Sequence, residues 1–317
     1  MASSGKPVVL VTGGSGYLGQ FLVQALAKAN FQVAFTHHST AAPILRGDVT
    51  AYWVDLVSGE GLEQCISSLP SLSAIINTAA ISSPGACEKD PDTARAVNVP
   101  SKLLDALSVH AGEHGSHPLF IHLSTDQVYD GSRSNWREEE AGNPVNAYGK
   151  TKLEAEKLIQ ERWPNCVILR SSIIYGPQSP TPVSRALFLQ FVARQLKEGT
   201  PTSFFNDEFR NPVFVDDIVS VVLRLLQPGT VLSGRWACIL VYNMGGPERL
   251  SRVDMAAKVA EVWGYSPDAI VSAPSSSVNR GVASPADISM TSRKLETELG
   301  LRLTPFSEAL QQIGRLP

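Results

Sequence analysis

Cysteine is scarce: Cys65, Cys87, Cys166 and Cys238 are the four in 317 residues, and no two form a Cys-x-x-Cys pair. That spacing argues against a zinc cluster and a disulfide framework, and it fits a reducing compartment. Long hydrophobic runs are also missing. MASSGKP leads directly into a short apolar strand, without the stretch that a signal segment or membrane span needs, so a cytoplasmic protein is expected. Excess charge of one sign is missing too, and a net charge of -3 provides no general attraction for nucleic acid or an anionic membrane. Neither is expected as a partner. His110, His114 and His117 cluster at a Gly-containing helix end but lack the carboxylate arrangement of a zincin, so they read as a surface turn and no metal is assigned. Ser171 and Ser172 lack a Gly-x-Ser-x-Gly context, and no hydrolase triad is apparent.

What is present is the composition of a soluble globular protein, 43% apolar and 18% charged, long enough for one large α/β unit with an appended lobe. Short apolar runs at Val8–Val11, Gln32–Thr36, Tyr52–Val54, Ala74–Asn77, Leu119–Leu123 and Val167–Leu169 read as strands. Helical patterns fall between them, including Leu18–Ala29, Thr93–His110 and Ala147–Arg162. Because parallel strands need crossover connections, this alternation predicts an α/β fold with a doubly wound parallel sheet. After Tyr175 the alternation stops at the proline-rich GPQSPTPVS. Helices are expected at Ala186–Glu198, Val215–Leu226 and Arg252–Trp263, and a strand at Val241–Met244. The predicted division is a core over 6–175, with 213–240 packing back on it, and a smaller discontinuous substrate lobe formed by 176–212 and 241–317.

The first chemical signal is TGGSGYLG, Thr12 to Gly19, between the first strand and the first helix. Gly13 permits a tight turn, Gly16 a close approach to pyrophosphate and Gly19 close helix packing, while the helix N-terminus faces the phosphates. With Tyr17 and Leu18, these residues predict a dinucleotide site. An acidic residue at the end of the second strand would bind the adenosine ribose. Here Thr36-His37-His38-Ser39 stands in its place. A 2′-phosphate would meet no repulsion there, and His37, His38, Ser39 and Arg46 are candidate contacts, so NADP(H) is the expected cofactor. Asp55 and Leu56 after the third strand, and Asn77 with Ala79 and Ala80 after the fourth, lie where such sheets bind cofactor. Asn98 and Ser171, together with Tyr148 and Lys152, the lysine at the cofactor ribose, complete the expected cofactor-facing set.

The second signal is the pairing of Ser124-Thr125-Asp126-Gln127, at the end of the fifth strand, with Tyr148 and Lys152 one crossover later. At 100° per residue, Lys150, Glu154, Lys157 and Glu161 share one face of that helix, while Tyr148 and Lys152 share the opposite stripe with Ala155 and Ile159. An inward lysine needs a partner. A tyrosine acting as an acid near neutral pH benefits from an adjacent cation that stabilises the phenolate, and Lys152 lies one turn from Tyr148.

Together, TGGSGYLG, Asn77-Thr78-Ala79-Ala80, STDQVYDG, YGKTK, LRSSIIYGP and RNPVFVDDI resemble the extended short-chain dehydrogenase/reductases, and within them the dTDP-4-dehydrorhamnose reductase-like group. That group includes bacterial deoxysugar reductases and the regulatory β subunit of methionine adenosyltransferase. The resemblance implies a Rossmann core, a catalytic set of Thr125, Tyr148 and Lys152, and a small-molecule carbonyl substrate, with a 4-keto-6-deoxy nucleotide sugar as the leading choice. Ser124, Asp126, Gln127, Arg210 and Arg280 are the candidate substrate residues. The chain departs from the sugar reductases at Gln127-Val128-Tyr129, where they carry Tyr-Val-Phe, and at Ser284-Pro285, where they carry Arg-Pro. The alternatives are an NADP-binding regulatory subunit that partners the methionine adenosyltransferase catalytic subunit, or a reductase of another small ketone. A homodimer is an admissible assembly.

Overall fold

The computed structural model describes residues 5–39, 49–183, 187–228 and 238–316. Strands β1 (Val8–Thr12), β2 (Gln32–His37), β3 (Val49–Trp53), β4 (Leu72–Asn77), β5 (Leu119–Thr125) and β6 (Asn165–Ser171) are joined by a seventh strand, Cys238–Met244. All seven pair parallel, in the order seventh strand, β6, β5, β4, β1, β2, β3. Both β1 and β5 are buried along their whole length, as strands covered on two faces should be. Alternate residues of β1 serve opposite faces: Val9 and Val11 pack into one core, Val8 and Leu10 into the other. Sequence order reverses between β1 and β4, which opens a crevice at their carboxyl ends.

Helices α1 (Tyr17–Lys28), α2 (Leu62–Ser67), α3 (Pro84–Lys89), α4 (Pro91–Asn98), α5 (Ser101–His114) and α6 (Ala147–Arg162) make the crossovers of the first half. The expected helix over Thr93–His110 is two helices, α4 and α5. Pro100 lacks an N–H and pushes Val99 into extended backbone, φ -94° and ψ 108°, so the first helix must end at Asn98. His114 and His117 are exposed, but His110 is buried on the inner face of α5, which corrects its reading as a surface turn.

The second half contains α7 (Phe188–Glu198), α8 (Val215–Leu225), α9 (Arg252–Trp263), α10 (Arg293–Leu299) and α11 (Phe306–Ile313). Ala186, the expected start of α7, lies outside the described residues. Helix α8 packs against α1. Short strands pair locally: Thr202–Phe205 with Ile270–Ala273, Ile174–Tyr175 with Val213–Phe214, and Phe209–Arg210 with Leu250–Ser251. The strand expected at Val241–Met244 lies not in a separate lobe but beside β6, which brings Met244 level with Ser171. Periodicity identifies such a run as a strand without naming the sheet it joins. No helix among the described residues is long and apolar enough to cross a membrane.

Candidate active site

The glycine turn sits at the β1/β4 crevice. Gly13 has φ +69°, and a Cβ there would lie 2.9 Å from the Ala79 Cα, so the two strand ends approach too closely for a side chain. At Gly19 a Cβ would run into the Gly13 carbonyl. Thr36 holds the turn, accepting from Gly13 N at 3.1 Å and Gly14 N at 2.9 Å. No side chain caps α1 at Gly16, which leaves that N-terminus suited to an anion. These features fit a dinucleotide pyrophosphate. Tyr17 has only its backbone to offer there, because its hydroxyl donates to the Pro177 carbonyl at 2.8 Å, and Leu18 is buried in the core.

At the end of β2, His37 keeps a buried Nδ1 without a partner among the described residues, while His38 and Ser39 are exposed. The His38 ring lies 5.6 Å from that of Trp53. Asp55 closes its own turn, accepting from Val57 N at 2.8 Å and Ser58 Oγ at 2.7 Å, bonds that hold its carboxyl below the usual range. Leu56 follows it, half-buried. Arg46 lies outside the described residues. Ala79 and Ala80 are partly exposed at the crevice, but Asn98 is fully buried. The Asn98 amide accepts from Ile81 N at 2.8 Å and donates to Ile81 O at 3.2 Å and Thr151 Oγ1 at 2.9 Å. It braces the loop after β4 against α6.

Asn146 starts α6 by accepting from Gly149 N at 2.9 Å. The first turns then bury Tyr148, 9% exposed and packed near Cys87 and Ala94, and Lys152, 1% exposed. Thr125 is buried at the end of β5, beside Ser171 in register. Its Oγ1 donates to Asp126 Oδ1 at 3.2 Å and accepts from Gln127 N at 3.2 Å. Three residues earlier and one residue earlier, the same strand meets α6. His122 Nε2 lies 3.0 Å from Lys152 Nζ, and Ser124 Oγ donates to Glu156 Oε1. A strand repeat of two residues is thus matched to a helix repeat of four. Burial lowers the lysine to about 7 against an opposing effect of Glu156. Burial, and then Lys152, holds His122 well below its ordinary value.

Ser124 therefore belongs to a buried network, because Glu156 also accepts from Arg170 Nη2 at 2.8 Å. Arg170 Nη1 donates to Tyr129 Oη at 2.9 Å, and that hydroxyl donates to Asn243 Oδ1 at 2.7 Å. Of the other expected substrate residues, Asp126 accepts from Ser172 Oγ at 2.8 Å, and its carboxyl is raised by burial against the lowering effect of Arg210. Gln127 Oε1 accepts from Asn146 Nδ2 at 2.9 Å. Arg210 is buried and donates to Pro285 O at 2.8 Å and Phe209 O at 2.7 Å, while Arg280 pairs with Glu208. Both guanidinium groups are engaged. Arg252, which sequence reasoning missed, has a buried Nη1 without a partner among the described residues.

Residues 7–315 match the family model described as RmlD substrate binding domain. The chain belongs to that family. Within this RmlD-type framework, a probable low-salt glycan biosynthesis reductase of Haloferax volcanii is 28% identical over 293 residues, covering 92% of this chain and 91% of the relative. Methionine adenosyltransferase 2 subunit beta of Mus musculus is 26% identical over 310 residues, covering 96% and 86%. A solved dTDP-4-dehydrorhamnose reductase from Bacillus anthracis, in complex with NADP, shares the fold with a TM-score of 0.79 at 21% identity, covering 97% of this chain and 98% of that one. Beyond the candidate residues named from the sequence, the RmlD-type site here contains His122, Glu156 and Arg170. The signal for each was a polar residue in an otherwise apolar strand or on the inner side of α6.

Proposed function

We propose that this chain is an NADPH-dependent carbonyl reductase acting on a 4-keto-6-deoxy nucleotide sugar. The observation that carries the reading is the inward placement of Tyr148 and Lys152 at the start of α6, next to the Thr125 end of β5. Bound NADPH would supply a hydride to the carbonyl carbon. The Tyr148 hydroxyl donates its proton to the carbonyl oxygen. Thr125 orients the same oxygen by turning its O–H from Asp126 Oδ1 to the substrate. Lys152, as the ammonium, favours the phenolate left on Tyr148. The missing acid after β2 and a His37 Nδ1 without a partner among the described residues support preference for a 2′-phosphate.

A second reading is an NADP(H)-binding regulatory subunit of methionine adenosyltransferase. Its support is the mouse relative, together with the engagement of Arg210 and Arg280 inside the protein. Purified protein given NADPH and a panel of ketones, with product identification, tests the two. Stoichiometric NADPH oxidation without a protein partner is the expected result. Silence across the panel, with an NADP(H)-dependent complex that changes methionine adenosyltransferase kinetics, would replace the reductase reading by the second.

A further inference from the structure

Lys152 ends a chain of buried polar side chains that reaches the dinucleotide turn. Thr12 Oγ1 donates to Asn77 Oδ1 at 2.6 Å, Asn77 Nδ2 lies 3.0 Å from His122 Nδ1, and His122 Nε2 lies 3.0 Å from Lys152 Nζ. The four residues are 0%, 3%, 0% and 1% exposed. Thr12 is bonded to Gly13, and Ala79 N lies 3.5 Å from its Oγ1. The lysine of the proposed catalytic pair and the proposed phosphate turn are thus two ends of one hydrogen-bonded line.

Donor and acceptor counting gives this line two self-consistent states. In the arrangement seen, Asn77 donates to Nδ1, so a neutral His122 bears its proton on Nε2 and can donate only to a lysine that is an uncharged amine. An ammonium at Lys152 instead requires a bare Nε2. The His122 proton then sits on Nδ1, Asn77 turns its carbonyl oxygen toward it, and the Asn77 amide donates to Thr12 Oγ1. Between the two states Lys152 loses one proton, to solvent or to the Tyr148 phenolate, while His122 keeps one proton and changes the nitrogen that bears it. A doubly charged lysine–imidazolium pair is disfavoured by burial and like charge. The charged or titratable groups around the line are Tyr148 and Glu156 on α6 and Arg170 on β6, with Glu156 and Arg170 paired to each other. Asn77 and Thr12, from β4 and β1, are uncharged.

Resting on the reductase reading for its catalytic meaning, we infer that His122 is a positioning residue whose tautomer follows the proton on Lys152 and transmits that state through Asn77 to Thr12 at the dinucleotide turn. A histidine serves here because it can present either a donor or an acceptor from one ring position without changing its charge. Glutamine in its place offers Lys152 an amide without that coupled change at the opposite ring nitrogen.

The test is nitrogen NMR of the ligand-free protein labelled at histidine, with the His122 signals assigned by their loss in His122→Gln. From about pH 6 to about pH 9 the expected result is a change from the Nδ1–H to the Nε2–H tautomer, with a neutral ring throughout and a midpoint shared with Lys152 Nζ. Lys152→Arg, a permanent cation, should hold the Nδ1–H form across that range, and Lys152→Met should abolish the pH-dependent change. Either variant suffices if the other fails to fold. One unchanging tautomer in the unmodified protein, an imidazolium at the acid end, or a tautomer change that persists in the Lys152 variants would overturn the inference. NADPH oxidation is measured separately: its absence with every ketone removes the reductase reading and leaves the tautomer result standing, and the reverse also holds.

Discussion

Asn98 Nδ2 lies 2.9 Å from Thr151 Oγ1, one residue before Lys152, and thereby pins the segment after β4 to the helix that carries the tyrosine–lysine pair. The same amide satisfies the N–H and the carbonyl of Ile81. Asn98→Leu should therefore cost about 2–4 kcal/mol, the cost of leaving buried polar groups unpaired, and should lower turnover through loosened geometry. Urea unfolding compared with calorimetric NADPH titration checks this. A direct cofactor contact would instead show as weakened binding at unchanged stability.

Tyr148→Phe removes a proton donor and leaves the ring packed near Cys87 and Ala94. Turnover should fall by roughly two to four orders of magnitude, with cofactor affinity and melting temperature nearly unchanged. Full turnover in the folded variant would rule out this proton transfer.

Cofactor choice is expected to depend on the end of β2, where Ser39 is exposed and no carboxylate stands among Thr36 to Ser39. NADPH should bind more tightly than NADH, and Ser39→Asp should narrow or reverse the gap by repelling a 2′-phosphate. Titrating both cofactors into both proteins decides it, and an NADH preference in the unmodified chain would remove the assignment.

Burial of Lys152 makes a pH-dependent contribution to stability. Its folded value is lowered to about 7 from 10.5, so between those values the unfolded chain binds more protons. Stability contributed by this group therefore rises with pH across that window, by up to about 1.4 kcal/mol per pH unit, and its unfavourable contribution is fully present below about pH 7. Urea melts at about pH 7 and about pH 9 should show a gain of roughly 2 kcal/mol in the unmodified protein relative to Lys152→Met. An equal pH response in both proteins would contradict a depressed lysine.

Local pattern was enough for much of this fold. Apolar runs joined by helical stretches determine a parallel α/β sheet, because buried parallel strands need crossovers, and the glycine spacing determines a tight turn at the β1/β4 crevice with no room for a side chain at Gly13. The stripe of α6 that faces inward was also legible, since helix periodicity assigns faces without knowledge of neighbours. The break at Pro100 went unread, because a helical pattern on both sides concealed it.

Tertiary structure alone decided what each inward polar group meets. Lys152 is 30 residues from His122, Asn98 is 53 from Thr151, and Tyr129 is 114 from Asn243. A buried polar group must find a partner, but its identity depends on which strands lie side by side and in what register. The same reason separates Ser124 from Thr125: neighbouring strand residues point to opposite faces, and the placement of α6 turns Ser124 to Glu156 while Thr125 remains at the strand end. Arg210 could be seen as a cation in the sequence, but only the fold wraps it in the Pro285 and Phe209 carbonyls and leaves the buried Arg252 Nη1 without a partner among the described residues.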